Sequence, residues 1–252
     1  MAGRTLCRPA LVSISLSPSH HTTLGEIMAA ATPSGPNQIL IIRHAEKPYT
    51  TPAGADIQGV NYGASAFDKE SLIPFGWQRA GALAQFFTTM NPGLTPNTVI
   101  ASYPGAGDGG KGDSKSWRPM QTVIALLAKI NNVAENSFYE PEAPFNPIPI
   151  TLTTCPFNTQ YDSGSWLPMA NSLATMSGNV LVAWQHQDII DICTQIGSVL
   201  KIANAGDIPI DWPKNRFDIV FRFLLQPGTG AYQFSQIPQM LLAGDGAGGI
   251  PA

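Results

Sequence analysis

Two arginines and two histidines stand at positions in the sequence where their side chains could act together. Arg43 and His44 directly follow one run of apolar residues, and His186 follows a second run after one intervening residue. Arg118 stands at the start of a segment with helical spacing, beyond a glycine-rich stretch. Because ligands of open α/β sheets bind at the carboxyl ends of the strands, we expect these side chains to meet at one edge of a sheet.

The chemistry that suits this set is the binding and transfer of a phosphoryl group. Arg43 and Arg118 can each offer a planar fork of N–H donors to phosphoryl oxygens, and a helix that begins near Arg118 adds free backbone N–H groups. A neutral imidazole can attack phosphorus, and a second, protonated imidazole can stabilise the charge on the equatorial oxygens. The sequence therefore predicts an anion site with a histidine nucleophile.

The elements that would position these residues alternate between strand and helix. Continuous apolar runs predict strands buried on both faces, and apolar residues at helical spacing predict the helices. The predicted strands cover 39–42, 99–101, 180–184 and 217–225, and the predicted helices cover 76–90, 119–130 and 189–202. This order predicts an α/β fold, a three-layer α/β/α sandwich with a mostly parallel central sheet. The long connections, 45–75 and 131–179, are expected to carry function or local structure.

Composition excludes several classes of protein. The formal net charge is −3 and charged residues make up 12% of the chain, which gives no basic face for nucleic acid. No apolar run of the sequence approaches the length of a membrane span,. Cys7, Cys155 and Cys193 lie far apart and form neither a metal-spaced pair nor a disulfide framework,. We therefore expect a reducing, cytoplasmic location.

Glycine-rich segments offer rival interpretations, each of which lacks a necessary part. Residues 105–111 have the spacing of a phosphate-binding loop, but Gly112 stands where a Ser or Thr would hold magnesium,. The glycines of 105–110 and of 244–249 fit a dinucleotide-binding pattern without the acidic residue or the helix that this pattern requires,. The G-x-S-x-G elbow of many serine hydrolases does not occur in the sequence,.

The segment 41–46, Ile-Ile-Arg-His-Ala-Glu, resembles the Arg-His-Gly/Ala-Glu signature of the histidine phosphatase (phosphoglycerate mutase-like) superfamily. Three further segments resemble the first helix, the Ser…Arg…Gln/Thr segment and the second-histidine strand of that superfamily: 72–87, 101–122 and 180–186. The resemblance implies that His44 becomes phosphorylated. It implies further that Arg43, Arg118 and His186 hold the phosphoryl group, with neither a metal nor another cofactor.

The resulting prediction is a metal-independent phosphomonoester hydrolase, of the histidine acid phosphatase type, that works through a phosphohistidine on His44. Its substrate would be a phosphorylated small molecule or a phosphoprotein, with no nucleic-acid or membrane partner, and its oligomeric state is open. Two alternatives also stay open: a non-catalytic module that binds a phosphorylated ligand, and a phosphoglycerate mutase-type phosphotransferase. A mutase must hold a second phosphate, for which the sequence offers no evident set of extra basic residues.

The proton donor for the leaving alcohol is the least defined part of this prediction. Such a donor is usually a carboxylic acid with a raised pKa. The candidates are Asp188, Glu140, Glu142, Asp162 and Glu46. In one branch of the superfamily the acid directly follows the second histidine, where this chain has Gln187 and then Asp188. In another branch it comes from the long segment before that strand, and some relatives work without a dedicated acid.

The sequence divides into a body and two end segments. Residues 37–240 form the predicted histidine phosphatase-like domain, and the glycine-rich residues 241–252 are predicted to be a flexible tail. Residues 1–36 are predicted to be a disordered extension, because 1–25 contain arginine and serine but no acidic residue. Three origins are open for this extension: an initiator assigned too early, with Met28 as the true start, a plain tail, or a targeting segment.

Overall fold

A computed structural model of the chain describes residues 35–61, 67–104, 115–133, 152 and 154–252. The chain divides into two units, Met1–Thr32 and Pro33–Ala252, and every described residue belongs to the second. The predicted extension up to residue 34, the glycine-rich 105–112 segment and the candidate acids Glu140 and Glu142 lie outside the described residues.

Six strands form one mostly parallel sheet at the centre of the described body. In their order across the sheet, they are β5 (Phe157–Asn158), β4 (Thr98–Ala101), β6 (Asn179–Trp184), β1 (Gln38–Arg43), β7 (Ile219–Leu225) and β8 (Tyr232–Pro238). The pairings among β5, β4, β6 and β1 are parallel, whereas β7 is antiparallel to both β1 and β8. The prediction of an α/β protein with a mostly parallel sheet is confirmed.

Helices pack on both faces of this sheet. They are α1 (Pro74–Gln85), α2 (Arg118–Asn131), α3 (Trp166–Leu173) and α4 (His186–Val199). Alternate residues of β1 enter two core clusters: Leu40 and Ile42 pack with α1 and α2, and Ile39 and Ile41 pack with α3 and α4. Every residue of β1 is therefore buried, which explains why this strand is a continuous apolar run. None of the helices in the described ranges is long and apolar enough to cross a membrane.

Helix α1 passes close to the loop that follows β1. Pro74 stands at its first position, where a missing backbone N–H costs nothing. A Cβ at Gly76 would lie 2.6 Å from the carbonyl oxygen of Glu46, so a larger residue there would push the helix away from the loop. The amide of Ile73 donates to the same carbonyl oxygen at 3.2 Å. These contacts fix the backbone directly after His44.

Several elements carry no clear apolar pattern in the sequence. The 45–75 connection contains a small hairpin of β2 (Tyr49–Thr50) and β3 (Asp56–Ile57), and the 131–179 connection contains α3. Helix α4 begins at His186, before the predicted start at residue 189. The apolar spacing did not reveal the first turn because its residues are largely polar.

The last residues of the chain, for which the sequence predicts a flexible tail over 241–252, pack against the body. We call residues 241–250 the C-terminal segment. Asp245 forms an ion pair of 2.6 Å with the buried Arg79 of α1, and Ile250 is 4% exposed in the core cluster beside α3 and α4. Arg216 also donates to the carbonyl oxygen of Gly248 at 2.8 Å. The glycines predict a flexible tail, but Asp245 and Ile250 of the same segment contact residues that are far away in the sequence.

Candidate functional site

The carboxyl ends of three neighbouring strands meet at one edge of the sheet. Strands β4, β6 and β1 lie side by side and run in parallel. The last residue of β1, Arg43, is opposite the last residue of β6, Trp184. Beyond the strand, the amide of His44 donates to the carbonyl oxygen of Trp184 at 3.0 Å. His44 and His186 therefore stand at adjoining strand ends.

The His44 side chain is buried, with one nitrogen already engaged. The residue is 3% exposed, and its Nδ1 lies 2.7 Å from the carbonyl oxygen of Ala45. Because a carbonyl oxygen can only accept, this geometry assigns the proton to Nδ1 and leaves a lone pair on Nε2. The amide of Ala45 donates to Oγ1 of Thr122 at 2.8 Å, and that hydroxyl donates to the carbonyl oxygen of Arg118 at 2.7 Å. The loop that follows β1 is thereby tied to the first turn of α2.

Burial and neighbouring cations keep the imidazole of His44 neutral. Burial is the largest cause that lowers the pKa of His44 well below its usual value, and the charges of Arg118 and Arg43 lower it further. The hydrogen bond to Ala45 raises this pKa but is outweighed. A neutral imidazole with an unprotonated Nε2 is the form that attacks an electrophile.

Arg43 is a buried cation whose guanidinium group is only partly satisfied. Its Nη1 donates to the carbonyl oxygens of Pro213 (3.3 Å), Lys214 (2.8 Å) and Arg216 (3.0 Å). Its guanidinium carbon lies 3.8 Å from the ring centre of Phe217, a cation–π contact that orients the group. Nε and Nη2 have no hydrogen-bond partner within the described residues. Burial, followed by the charge of Arg118, lowers the pKa of Arg43 to about 10, so it stays charged at neutral pH.

Arg118 approaches the same site from the amino end of α2. Its Nη1 donates to the carbonyl oxygen of Lys69 at 3.1 Å, and its Nη2 lies 3.6 Å from Oε2 of Glu70. Its Nε has no partner among the described atoms. Burial lowers the pKa of Arg118, while the charges of Glu70 and Asp68 oppose this effect. Because Arg118 lowers the pKa of His44, the two side chains lie within electrostatic reach of each other.

His186 is the first residue of α4 and its ring is mostly enclosed. Its Nδ1 has no partner in the described part of the chain. Burial, followed by the charges of Arg43, Lys47 and Lys214, lowers the pKa of His186 to about 4, and Asp211 opposes this only in part. The ring is therefore neutral at physiological pH in the free protein. A bound dianion would raise this pKa and favour the protonated ring.

Ser102 is a further polar side chain at this edge of the sheet, and the sequence alone assigns it no role. It directly follows β4, as His44 follows β1, and it is fully buried. Its amide donates to the carbonyl oxygen of Ala183 at 3.4 Å, and its Oγ is without a partner among the described residues. The available signals were its place directly after a buried strand and the resemblance of 101–122 to the Ser…Arg…Gln/Thr segment, in which Ser102 stands at the serine position.

Four side chains around the strand ends carry buried polar atoms that can donate and that have no partner in the described ranges. These atoms are Nε and Nη2 of Arg43, Nε of Arg118, Nδ1 of His186 and Oγ of Ser102. Leaving a buried donor unpaired costs free energy. An anion with several oxygens would relieve that cost, because each oxygen can accept more than one hydrogen bond.

The described carboxylic acids among the proton-donor candidates lie in different settings. Asp188 accepts a hydrogen bond from Nε1 of Trp184 at 3.2 Å, and burial is the main cause that raises the pKa of Asp188. Asp162 is exposed and precedes a short 3₁₀ turn. Glu46 is bound to Arg79. No group of three or more His, Cys, Asp or Glu side chains suited to a metal ion occurs among the described residues.

A buried ion network joins Glu46 to the C-terminal segment. Nη2 of Arg79 lies 2.7 Å from Oε1 of Glu46 and 2.6 Å from Oδ1 of Asp245. Nη1 of Arg79 also donates to Oε1 of Gln239 at 3.0 Å. Because Glu46 follows His44 by two residues, this network holds the loop that follows β1 against α1 and the C-terminal segment.

No family model and no curated protein sequence matches this chain. The resemblance of 41–46 to the histidine phosphatase signature therefore stays a hypothesis. Of the residues that carry it, Arg43, His44 and His186 lie at adjoining strand ends, and Arg118 lies at the start of α2.

His186 is expected to make the protein less stable as the pH falls. Its pKa is about 4 in the folded chain and about 6.5 in an unfolded chain, so the unfolded chain binds more protons between these values. This contribution to stability is fully present above about pH 6.5 and is lost as the pH falls towards about 4. We expect the urea midpoint to fall between about pH 7 and about pH 4.5, and to fall less in His186→Gln. Equal falls in both proteins would contradict the lowered pKa.

Proposed function

We propose that this protein is a metal-independent phosphomonoester hydrolase of the histidine phosphatase type, with His44 as its nucleophile. The observation that carries the proposal is the buried, neutral imidazole of His44, whose Nδ1 bonds to the carbonyl oxygen of Ala45 and so leaves the lone pair on Nε2, in the field of Arg118 and Arg43. A site that only bound an anion would have no need of a nucleophilic nitrogen among its cations. The proposal includes a three-layer α/β/α sandwich, which is supported by the core clusters on the two faces of the sheet.

The proposed reaction has two steps. Nε2 of His44 attacks phosphorus, the P–N bond forms, and the P–O bond to the alcohol breaks with its electron pair going to the alcohol oxygen. That oxygen takes up a proton from an acid group or from water. Water then attacks the phosphohistidine, the P–N bond breaks with its electron pair returning to Nε2, and phosphate leaves as the attacking water gives up a proton. The Nδ1 hydrogen bond to Ala45 keeps Nε2 as the reacting nitrogen in both steps.

The cations supply the electrostatic part of the proposed reaction. The unpaired N–H groups of Arg43 and Arg118 can donate to the non-bridging oxygens, whose charge grows in the transition state. Ser102 can add a neutral donor from the end of β4. His186 becomes a charged donor once the phosphate dianion raises its pKa.

Leaving-group protonation determines which substrate is the best first probe. Asp188 and Glu46 are already engaged by Trp184 and Arg79, respectively. An ester of an acidic alcohol, such as a phenol, can leave without a donor. We therefore expect the rate to rise as the pKa of the leaving alcohol falls, and aryl phosphates to be hydrolysed faster than alkyl phosphates.

The direct test is hydrolysis of 4-nitrophenyl phosphate from about pH 4 to about pH 9 with excess EDTA. Turnover that survives chelation, together with an acid-labile and base-stable phosphoenzyme, would support the proposal. A folded protein that binds phosphate and turns over no monoester would instead support a phospho-ligand-binding module. Transfer to a second hydroxyl group without release of phosphate would support a mutase-type phosphotransferase.

Arg118→Ala is expected to weaken the binding of phosphate or orthovanadate by about 1.5–3 kcal/mol, because it removes a charge-assisted donor. The measurement is the inhibition constant of orthovanadate or, without turnover, titration calorimetry with phosphate. Lys129→Ala is the matched control, because it removes a cation from the last turn of the same helix α2. Equal inhibition of the wild type and Arg118→Ala by vanadate would show that Arg118 is misassigned.

The proposal leaves the substrate as a phosphorylated small molecule or a phosphoprotein. It includes a reducing, cytoplasmic location, an expectation that rests on the spacing of the cysteines. Among the described residues, Cys155 and Cys193 are free and buried, as reduced thiols in such a compartment would be.

A further inference from the structure

A cavity of about 710 Å³ is lined in part by Phe217, whose ring contacts the guanidinium group of Arg43. Its apolar wall comes from the β2–β3 hairpin, the start of α1 and the residues before β7: Tyr49, Ile57, Ile73, Pro74, Phe75 and Phe217. The rest of the lining includes charged side chains and residues 243–246 of the C-terminal segment. A cavity of this size suits an organic group of one or two rings rather than an ion.

Phe217 and Glu46 connect this cavity to the nucleophile. Both residues line the cavity. The guanidinium carbon of Arg43 lies 3.8 Å from the ring centre of Phe217. The ring centres of Phe217 and His44 are 6.2 Å apart. The charge of Glu46 raises the pKa of Arg43, so these two side chains are also close. An ester whose phosphorus meets His44 would therefore have its organic part next to the cavity.

The ionic groups of the cavity wall leave one carboxylate in excess. Glu46 and Asp245 share the guanidinium group of Arg79, and Asp218 is paired with Arg216 at 2.7 Å. Both arginines are thus already engaged. Oε2 of Glu46 is buried and has no hydrogen-bond partner in the described part of the chain, and the side chain is 12% exposed. A buried carboxylate oxygen of this kind favours a donor or a cation as its partner.

We infer that this cavity holds the organic part of the substrate, and that the substrate is the phosphomonoester of a largely apolar alcohol that carries an amine or hydroxyl donor. This inference rests on the proposed function. The apolar wall takes the hydrocarbon part, and Oε2 of Glu46 accepts the hydrogen bond from the donor. A second phosphate or a carboxylate on the substrate would instead meet the unpaired carboxylate, which disfavours the phosphoglycerate mutase-type alternative.

The charge preference is tested with 3-(aminomethyl)phenyl phosphate and 3-carboxyphenyl phosphate, in the wild type and in Glu46→Gln. We expect the wild type to favour the aminomethyl ester in kcat/KM by about tenfold or more. Glu46→Gln is expected to reduce that preference by about tenfold. Because the same two esters are compared in both proteins, differences between their leaving groups cancel. A wild-type preference for the carboxyl ester, or a preference that Glu46→Gln leaves unchanged, would overturn the inference.

The apolar wall is tested with a matched pair of phenylalanines. Phe75 lines the cavity, whereas Phe67 is more exposed and does not appear in its lining. We expect Phe75→Ala to lower the ratio of kcat/KM for 2-naphthyl phosphate to that for phenyl phosphate by about tenfold. Phe67→Ala is expected to leave that ratio at the wild-type value. Equal changes in both variants would place the organic group elsewhere.

Binding without turnover separates this inference from the proposed function. If no aryl phosphate is hydrolysed, the proposal of a hydrolase is overturned, and with it the assignment of the cavity to a leaving group. Titration calorimetry with millimolar 1-naphthylmethylamine then tests the cavity itself. Binding that weakens in Glu46→Gln and Phe75→Ala, but not in Phe67→Ala, would support an apolar amine site. Wild-type protein that shows no heat of binding, or equal binding in all four proteins, would overturn it.

Discussion

His44→Ala is expected to lower kcat for aryl phosphates by about 10⁴-fold or more while the protein stays folded. The substitution removes the only nitrogen that the proposed reaction phosphorylates. The ring packs near Phe217, and within the described residues its hydrogen bond is to the neighbouring Ala45, so its loss leaves the sheet pairings in place. The measurement is kcat with 4-nitrophenyl phosphate, accompanied by far-UV circular dichroism and the thermal midpoint.

His186→Gln provides the matched comparison for the loss of His44. Both variants remove an imidazole from adjoining strand ends, but His186→Gln keeps the proposed nucleophile. After incubation with a phosphomonoester that carries a radiolabelled phosphoryl group, we expect His186→Gln to form a labelled phosphoenzyme at a reduced rate. We expect His44→Ala to form none. Turnover retained in a folded His44→Ala protein would refute the central assignment, and phosphate trapped on that variant would point to another nucleophile.

Arg79→Ala is expected to lower the free energy of unfolding by about 3–5 kcal/mol, because it leaves two buried carboxylates without their cation. The side chains of Arg79 and Asp245 are 3% and 4% exposed, so water cannot replace the lost partner. The measurement is urea unfolding at neutral pH, followed by fluorescence.

Arg222→Ala is a suitable control for Arg79→Ala. Arg222 lies on β7 and donates to Oε1 of Gln38 at 2.8 Å, whereas Arg79 bridges two acids. We expect the control to cost about 1 kcal/mol, the usual value of one hydrogen bond. A loss of under about 1 kcal/mol in Arg79→Ala would show that the network is solvated in solution and contributes little.

The strand ends were predictable because a strand buried on both faces leaves a continuous apolar signal. That signal located β1, β4, β6 and β7, and with them the polar residues that follow. His44 and His186 became candidates because they stand at these positions and because few residue types other than histidine combine nucleophilicity with a pKa near neutrality. Ser102 occupies an equivalent position, but serine is too common after strands for its residue type alone to indicate a role in the site.

The partners of the C-terminal segment could not be predicted from local patterns. Asp245 and Arg79 are 166 positions apart along the chain, and neither residue belongs to an apolar run that would place it. Glycine dominates the surrounding sequence. Its abundance predicts a flexible tail and gives no indication that the single acidic residue of the segment has a buried partner. The large cavity escaped prediction for the same reason, because its walls come from the hairpin, α1, the residues before β7 and the C-terminal segment.

The position of Asp245 makes the stability of the body depend on a residue that is synthesised 166 positions after its partner Arg79. A ribosome that stalls before residue 245, or a carboxypeptidase that trims past it, would produce a protein in which the buried Arg79 keeps only one of its two carboxylate partners, Glu46. Such a product would unfold more often and be removed by cellular proteases. Quality control would thereby act before a defective protein could accumulate.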